Sequence, residues 1–152
     1  MKTVKDCMST DLITVTPSCS IKDLAELFVR RRIGAIPVVD DGGTLLGMVT
    51  EADLVSRGRS IHVPTVVSLF DWVVYLESEQ TLEKELSLMS SQTVEEIYHK
   101  NVATCSPNDP ISRPADLMAD HSITAVPVVE CNALKGIVAR IDIIRALLSD
   151  GL

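Results

Sequence analysis

The sequence predicts a mixed α/β (α+β) protein made of two copies of one strand–helix–strand–strand–helix unit, with a helical insert between them. Three observations carry this expectation. Val4 to Val39 aligns with Val94 to Val129 at a constant offset of 90 (94 − 4), and Gly47 to Asp53 aligns with Gly136 to Asp142 at 89, one residue being lost in the intervening turn. Such a period is too long for a solenoid and suits two copies of one small domain. In each copy, short β-branched runs alternate with stretches whose apolar residues recur at helical spacing. Finally, 46% hydrophobic but only 3% aromatic residues describe a core of Val, Ile, Leu and Ala, as packed strands and helices require.

In the first copy, Leu12 to Thr16 reads as a short strand closed by Pro17. A helix is predicted from Ile21 to about Arg32, with Ser20 as N-cap, Asp23 at N3, and Leu24, Leu27 and Phe28 on its apolar face. Gly34 is expected to supply the left-handed stop, and Arg30, Arg31 and Arg32 suit the negative end of the helix dipole. Ala35 to Val39 and Thr44 to Val49 are predicted strands around the turn Asp40-Asp41-Gly42-Gly43, and Thr50 opens a helix to about Ser56. The second copy repeats this order. A strand is expected near Val102 to Cys105, a helix from Ile111 to about Ser122, strands at Ala125–Val129 and Leu134–Val138, and a helix from Arg140 to Leu148. Pro114 falls in a first helical turn, where proline is tolerated.

The repeat leaves the middle of the chain unexplained. Val66 to Leu76 and Thr81 to Met89 read as two further helices, the first carrying Leu69, Phe70, Trp72, Val73 and Tyr75. These apolar side chains read as core first and as a contact between two copies next. The expected division is 1–58 for the first unit, 59–92 for the insert and 93–152 for the second unit.

Composition excludes several classes of function. A formal charge of −7 argues against nucleic acid or an anionic membrane as the main partner, because such binders cluster Lys and Arg. The apolar run from Val63 to Leu76 is broken by Pro64, Ser68 and Asp71 and falls short of the roughly 20 residues that span a bilayer. The N-terminus MKTVKDCMSTD has no apolar h-region and no Arg-rich amphipathic pattern, so a cytoplasmic location is expected. Cys7, Cys19, Cys105 and Cys131 have no C-x-x-C spacing, and their repeat partners are Ile97, Asp109, Val15 and Asp41; they are read as reduced thiols.

Most identities between the copies, such as Pro37/Pro127, Val38/Val128 and Gly47/Gly136, are turn or core types. Asp53/Asp142 is neither, so it carries the functional question. Thr50-x-x-Asp53 has the spacing of a capping box, in which Thr50 accepts from the amide of residue 53 and Asp53 reaches back to the amide of residue 50. The same geometry suits a ligand. Amides at a helix N-terminus and the Thr50 hydroxyl can hold a phosphate, while Asp53 accepts hydrogen bonds from vicinal hydroxyls such as those of a ribose. The second copy has Ala139 in place of Thr50 yet keeps Asp142, which tips the comparison towards the ligand.

The ordered set ITVTP, I-G-A-I-P-V-V-D and G-M-V-T-E-A-D, followed by I-T-A-V-P-V-V-E and G-I-V-A-R-I-D, closely resembles a tandem pair of cystathionine-β-synthase-type (CBS) domains, a Bateman module. The resemblance covers about Val4 to Ser56 and Val94 to Ala146. It implies two β-α-β-β-α units packed through their sheets about a pseudo-two-fold, with two clefts between them. It also implies an adenosine-containing regulatory ligand, such as AMP, ADP, ATP or S-adenosylmethionine, no required cofactor, and frequent pairing into homodimers. Carried over by position, Asp53 holds the ribose and Thr50 the first phosphate at one cleft, and Asp142 the ribose at the other. Thr14, Ile36, Pro37 and Val38, and Thr104, Val126, Pro127 and Val128, flank the adenine through backbone and apolar side chains. Ala139 departs from the pattern by lacking the hydroxyl; Arg140 beside it reads as a solvated arginine, with compensation as the alternative. Arg31 and His121, at equivalent positions before the I-x-A-h-P segments, read as surface residues, with a reach to phosphate as the alternative, and His62 and His99 read as structural.

No G-x-S-x-G, P-loop lysine, H-E-x-x-H or Cys–His pairing in a recognisable context occurs, so enzymatic activity is not expected. The expected function is a sensor module for an adenosyl ligand, acting on a protein effector the sequence does not identify. The rival expectation is an interaction module with ligand-free clefts whose partner contacts the helix around Trp72.

Overall fold

The computed structural model describes residues 2–60 and 91–150. In chain order the elements are α1 (Val4–Cys7), α2 (Ile21–Arg31), β1 (Ala35–Val39), β2 (Leu45–Thr50), α3 (Glu51–Ser60), a one-turn 3-10 helix (Val94–Glu96), α4 (Ser112–His121), β3 (Ala125–Glu130), β4 (Ala133–Ala139) and α5 (Arg140–Ser149). The predicted helices at Val66–Leu76 and Thr81–Met89, with Trp72, lie outside the described residues.

Each copy folds around an antiparallel hairpin. β1 pairs with β2 from Ala35↔Thr50 to Val39↔Leu45, with a bulge between Val38 and Val39; β3 pairs with β4 from Ala125↔Ala139, with its bulge between Val128 and Val129. The bulges occupy equivalent places, but the turns differ. In the first, Asp40 Oδ1 accepts the amides of Gly42 and Thr44, both at 2.9 Å, and Gly43 takes φ +84. In the second, Cys131 and Asn132 sit at φ 53 and φ 65. Two successive positive φ values make the tight turn whose twist matches a hairpin, and this shorter turn accounts for the change of offset from 90 to 89.

Strand alternation sends Ile36 and Val38 into one core, where they meet Leu24 and Phe28 of α2, Leu54 of α3 and Val49. Val126 and Val128 enter the equivalent core with Leu117, Met118 and Val138. Ser20 caps α2 as expected, its side chain accepting the Asp23 amide at 3.1 Å.

Two local expectations are corrected. The strands expected at Leu12–Thr16 and Val102–Cys105 contract to single parallel bridges, Val15↔Val38 and Cys105↔Val128. Each makes one pair of bonds, Val15 N–H to Pro37 O and Val39 N–H to Val15 O in the first copy, before Pro17 or Pro107 ends the run. The left-handed helix stop is not Gly34 but Arg32, at φ 51, and its counterpart is Ser122, at φ 54. Gly34 is instead held by its carbonyl, which accepts the Glu51 amide at 3.1 Å.

The two copies also exchange their leading segments, which the repeat alignment does not anticipate. Val4, at the start of α1, is fully buried in the core of the second copy, and Val94, in the 3-10 turn, is fully buried in that of the first. The backbone bonds are reciprocal. Val4 and Lys5 donate to Asp109 O and Pro107 O, whereas Val94 and Glu95 donate to the equivalent Cys19 O and Pro17 O. Ser9 exchanges both bonds with Ile137, and His99 does the same with Met48. The hairpins themselves meet at the bridge Thr44↔Ala133. Close approach of each lead-in requires a glycine: a Cβ on Gly47 would lie 2.0 Å from His99 O, and one on Gly136 2.7 Å from Met8 Sδ.

All four cysteines are free. Burial pushes the Cys105 thiol up to about 11, which makes it a poor nucleophile.

Candidate functional site

Strand β2 ends at Thr50 and α3 begins at once, so the residue 50–53 turn stands at a helix N-terminus. Asp53 closes the turn on itself. Its Oδ2 accepts the Thr50 amide at 2.7 Å and the Thr50 hydroxyl at 3.1 Å. At the equivalent turn, Asp142 Oδ2 accepts the Ala139 amide at 2.8 Å, and Arg145 lies 3.7 Å from Oδ1. The reach-back half of the box therefore forms with or without a hydroxyl at its first position. Capping explains Asp142 opposite Ala139 as well as ligand binding does, and the comparison between copies no longer favours one over the other.

The structure brings to the turn a residue that the sequence reads as structural. His99 Nε2 donates to Asp53 Oδ1 at 2.7 Å, the imidazole side chain being 66% exposed and the carboxylate 13%. The exchange of lead-ins causes this contact, since His99 is fixed against β2 by its two backbone bonds to Met48. Nothing in local spacing links residues 46 positions apart. The available signal was a difference between copies, because the repeat places Ser9 where His99 stands. At the other turn the first lead-in approaches Asp142: the Cys7 thiol is held above its ordinary value by burial first and by the Asp142 charge second.

The remaining predicted residues fall into three groups. Thr14 and Thr104 are exposed, each just before its bridge residue. Pro37 and Pro127 are buried. The side chains of Ile36, Val38, Val126 and Val128 are fully buried in the cores of their own units. Strand alternation turns these four side chains inward and leaves their backbone for the expected role beside a ligand. Arg31, His121 and Arg140 are exposed.

A cavity of about 230 Å³ lies where the two copies meet, lined by Thr44, Leu45 and Leu46 from one and by Lys100, Val102, Thr104, Val129 and Asn132 from the other. Neither aspartate lines it. Among the described residues Lys100 is its single charged wall residue, and it follows His99 in the chain. Among the described residues no group of His, Cys, Asp and Glu has metal-binding geometry, and no helix is long and apolar enough to cross a membrane.

Known proteins share this arrangement. The model of the CBS domain family matches residues 4–60 and 94–149. The CBS domain-containing protein YhcV of Bacillus subtilis is 31% identical over 147 residues, covering 94% of this chain and 84% of the relative. Among solved structures, CBSX2 in complex with AMP superposes with a TM-score of 0.76 and 25% identity, covering 100% of both chains. The CBS domain pair of protein MJ0100, in complex with 5′-methylthioadenosine and S-adenosyl-L-methionine, does so with a TM-score of 0.71 and 26% identity, covering 99% of this chain and 98% of that one. With two matched regions, a hairpin and helices in each, and lead-ins exchanged between them, the chain belongs to the CBS domain family and carries the domain twice.

Proposed function

We propose that the chain is a regulatory module that binds an adenosine-containing ligand, AMP, ADP, ATP or S-adenosylmethionine, between its two CBS units. The supporting observation is its whole-length similarity to two CBS pairs that are complexes with such compounds. In this reading the units are 1–58 and 93–152, joined by 59–92, and ligand binding changes association with a protein effector in the cytoplasm. The chain itself performs no catalysis.

The turn at α3 is the better of the two sites. Thr50 offers a hydroxyl beside exposed helix amides, which suits a phosphate, and Asp53 offers a carboxylate to the ribose. Ala139 offers no hydroxyl beside Asp142. Losing a hydrogen bond to a charged group costs about 1.5–3 kcal/mol, roughly ten- to hundredfold in affinity. Asp53→Ala therefore weakens AMP binding by at least tenfold, whereas Asp142→Ala leaves the tighter site nearly intact. Calorimetric titration of both variants against the parent tests this. Parent-like binding by Asp53→Ala, with binding abolished in Asp142→Ala, would reverse the site assignment.

A further inference from the structure

The Asp53 carboxylate is already close to saturated. Its two oxygens offer roughly four acceptor positions, and three are filled: Oδ2 by the Thr50 amide and hydroxyl, Oδ1 by His99 Nε2. A vicinal diol donates two hydrogen bonds, so it needs one position more than remains free. The Thr50 amide cannot yield, because the backbone there is held at the end of β2, paired with Ala35, just before α3 begins. His99 can yield, since its side chain is 66% exposed and regains water when it turns away. The second copy lacks this contact: Ser9 stands at the equivalent position, and the Asp142 Oδ1 neighbour is Arg145, from the same helix, at 3.7 Å.

We propose that His99 is a specificity-determining residue of the Asp53 site, competing with the ribose diol for Oδ1 so that only ligands able to displace the imidazole fill the site. The inference rests on the proposed ribose role of Asp53. His99 reaches that site from the lead-in of the other unit, so its displacement by a ligand breaks a side-chain contact between the two units.

Adenosine is the suitable probe, having a diol but no phosphate to draw off the Thr50 hydroxyl, and 2′-deoxyadenosine is its control with one hydroxyl fewer. Exposed ion pairs are worth little, so His99→Ala is expected to tighten adenosine binding by about two- to fivefold. It leaves 2′-deoxyadenosine binding unchanged, because a single hydroxyl fits the free position. His99→Gln, which can still donate to Oδ1, restores the parental preference. Calorimetric titration of the parent and the two variants gives the answer. Weaker or unaltered adenosine binding by His99→Ala overturns the competition while leaving the adenosyl reading in place. Equal tightening towards both nucleosides also overturns it, as a loss of bulk would do that. Failure of parent and variants alike to bind adenosine, AMP or S-adenosylmethionine overturns both readings together.

Discussion

Arg32 and Ser122 end α2 and α4 in the left-handed region, at φ 51 and φ 54. A Cβ in that region costs roughly 1–2 kcal/mol. Glycine at either place is expected to stabilise the protein by about 1 kcal/mol. Urea unfolding checks this as a higher midpoint at an unchanged slope. The sequence offered Gly34 as the stop because glycine is the common signal, but the bond from the Glu51 amide keeps that residue committed to the strand entry. Asp53 was legible because the repeat isolates it as a shared residue that is neither turn nor core. His99 was not, because its importance comes from a contact across the exchange of lead-ins.

At the scale of elements, the two hairpins and the helices after them were readable from β-branched runs, turn residues and helical spacing. The opening strands were overestimated, because ITVTP and its counterpart have strand composition but room for only one bridge each. The hairpin glycines carry a cost that composition does not disclose. A methyl group on Gly47 would stand 2.0 Å from backbone at His99, and one on Gly136 2.7 Å from the flexible Met8 side chain and 2.9 Å from Ser9 O. Overpacking typically costs about 1–3 kcal/mol. Gly47→Ala is thus expected at or above the top of that range and Gly136→Ala below it, as denaturant unfolding of the two variants would measure. Gly47→Ala also pushes His99 off Met48, so its Asp53 site would open as its stability falls.

At the scale of the whole molecule, the duplication was plain in the sequence and the exchange was hidden. An alignment pairs equivalent residues, Val4 with Val94, and says nothing about which core each of them enters. The sequence also led us to expect a homodimer from the apolar stretch around Trp72, which lies outside the described residues. The described surface gives an independent reason. Ile141, Ile144 and Leu148 form an exposed stripe along α5, at 51%, 50% and 63% exposure, and Val55 on α3 is exposed at the position equivalent to Ile144. A stripe at this spacing suits a helix-to-helix contact between two copies. Light scattering across a wide concentration range is expected to give twice the monomer mass, and Ile144→Asp to return it to the monomer. A monomer at every concentration would leave the stripe without this role.

The reciprocal lead-ins also bear on what one chain can do that two separate units cannot. A single unit with the same opening segment would have a gap in its core where Val94 or Val4 now sits, and a loose segment with the residue to fill that gap in another molecule. Two copies of such a unit would close their cores only by pairing with each other, and here that pairing is made within one chain. Identical protomers would carry identical sites, whereas one chain can hold His99 at one position and Ser9 at the other and so make its two sites unequal.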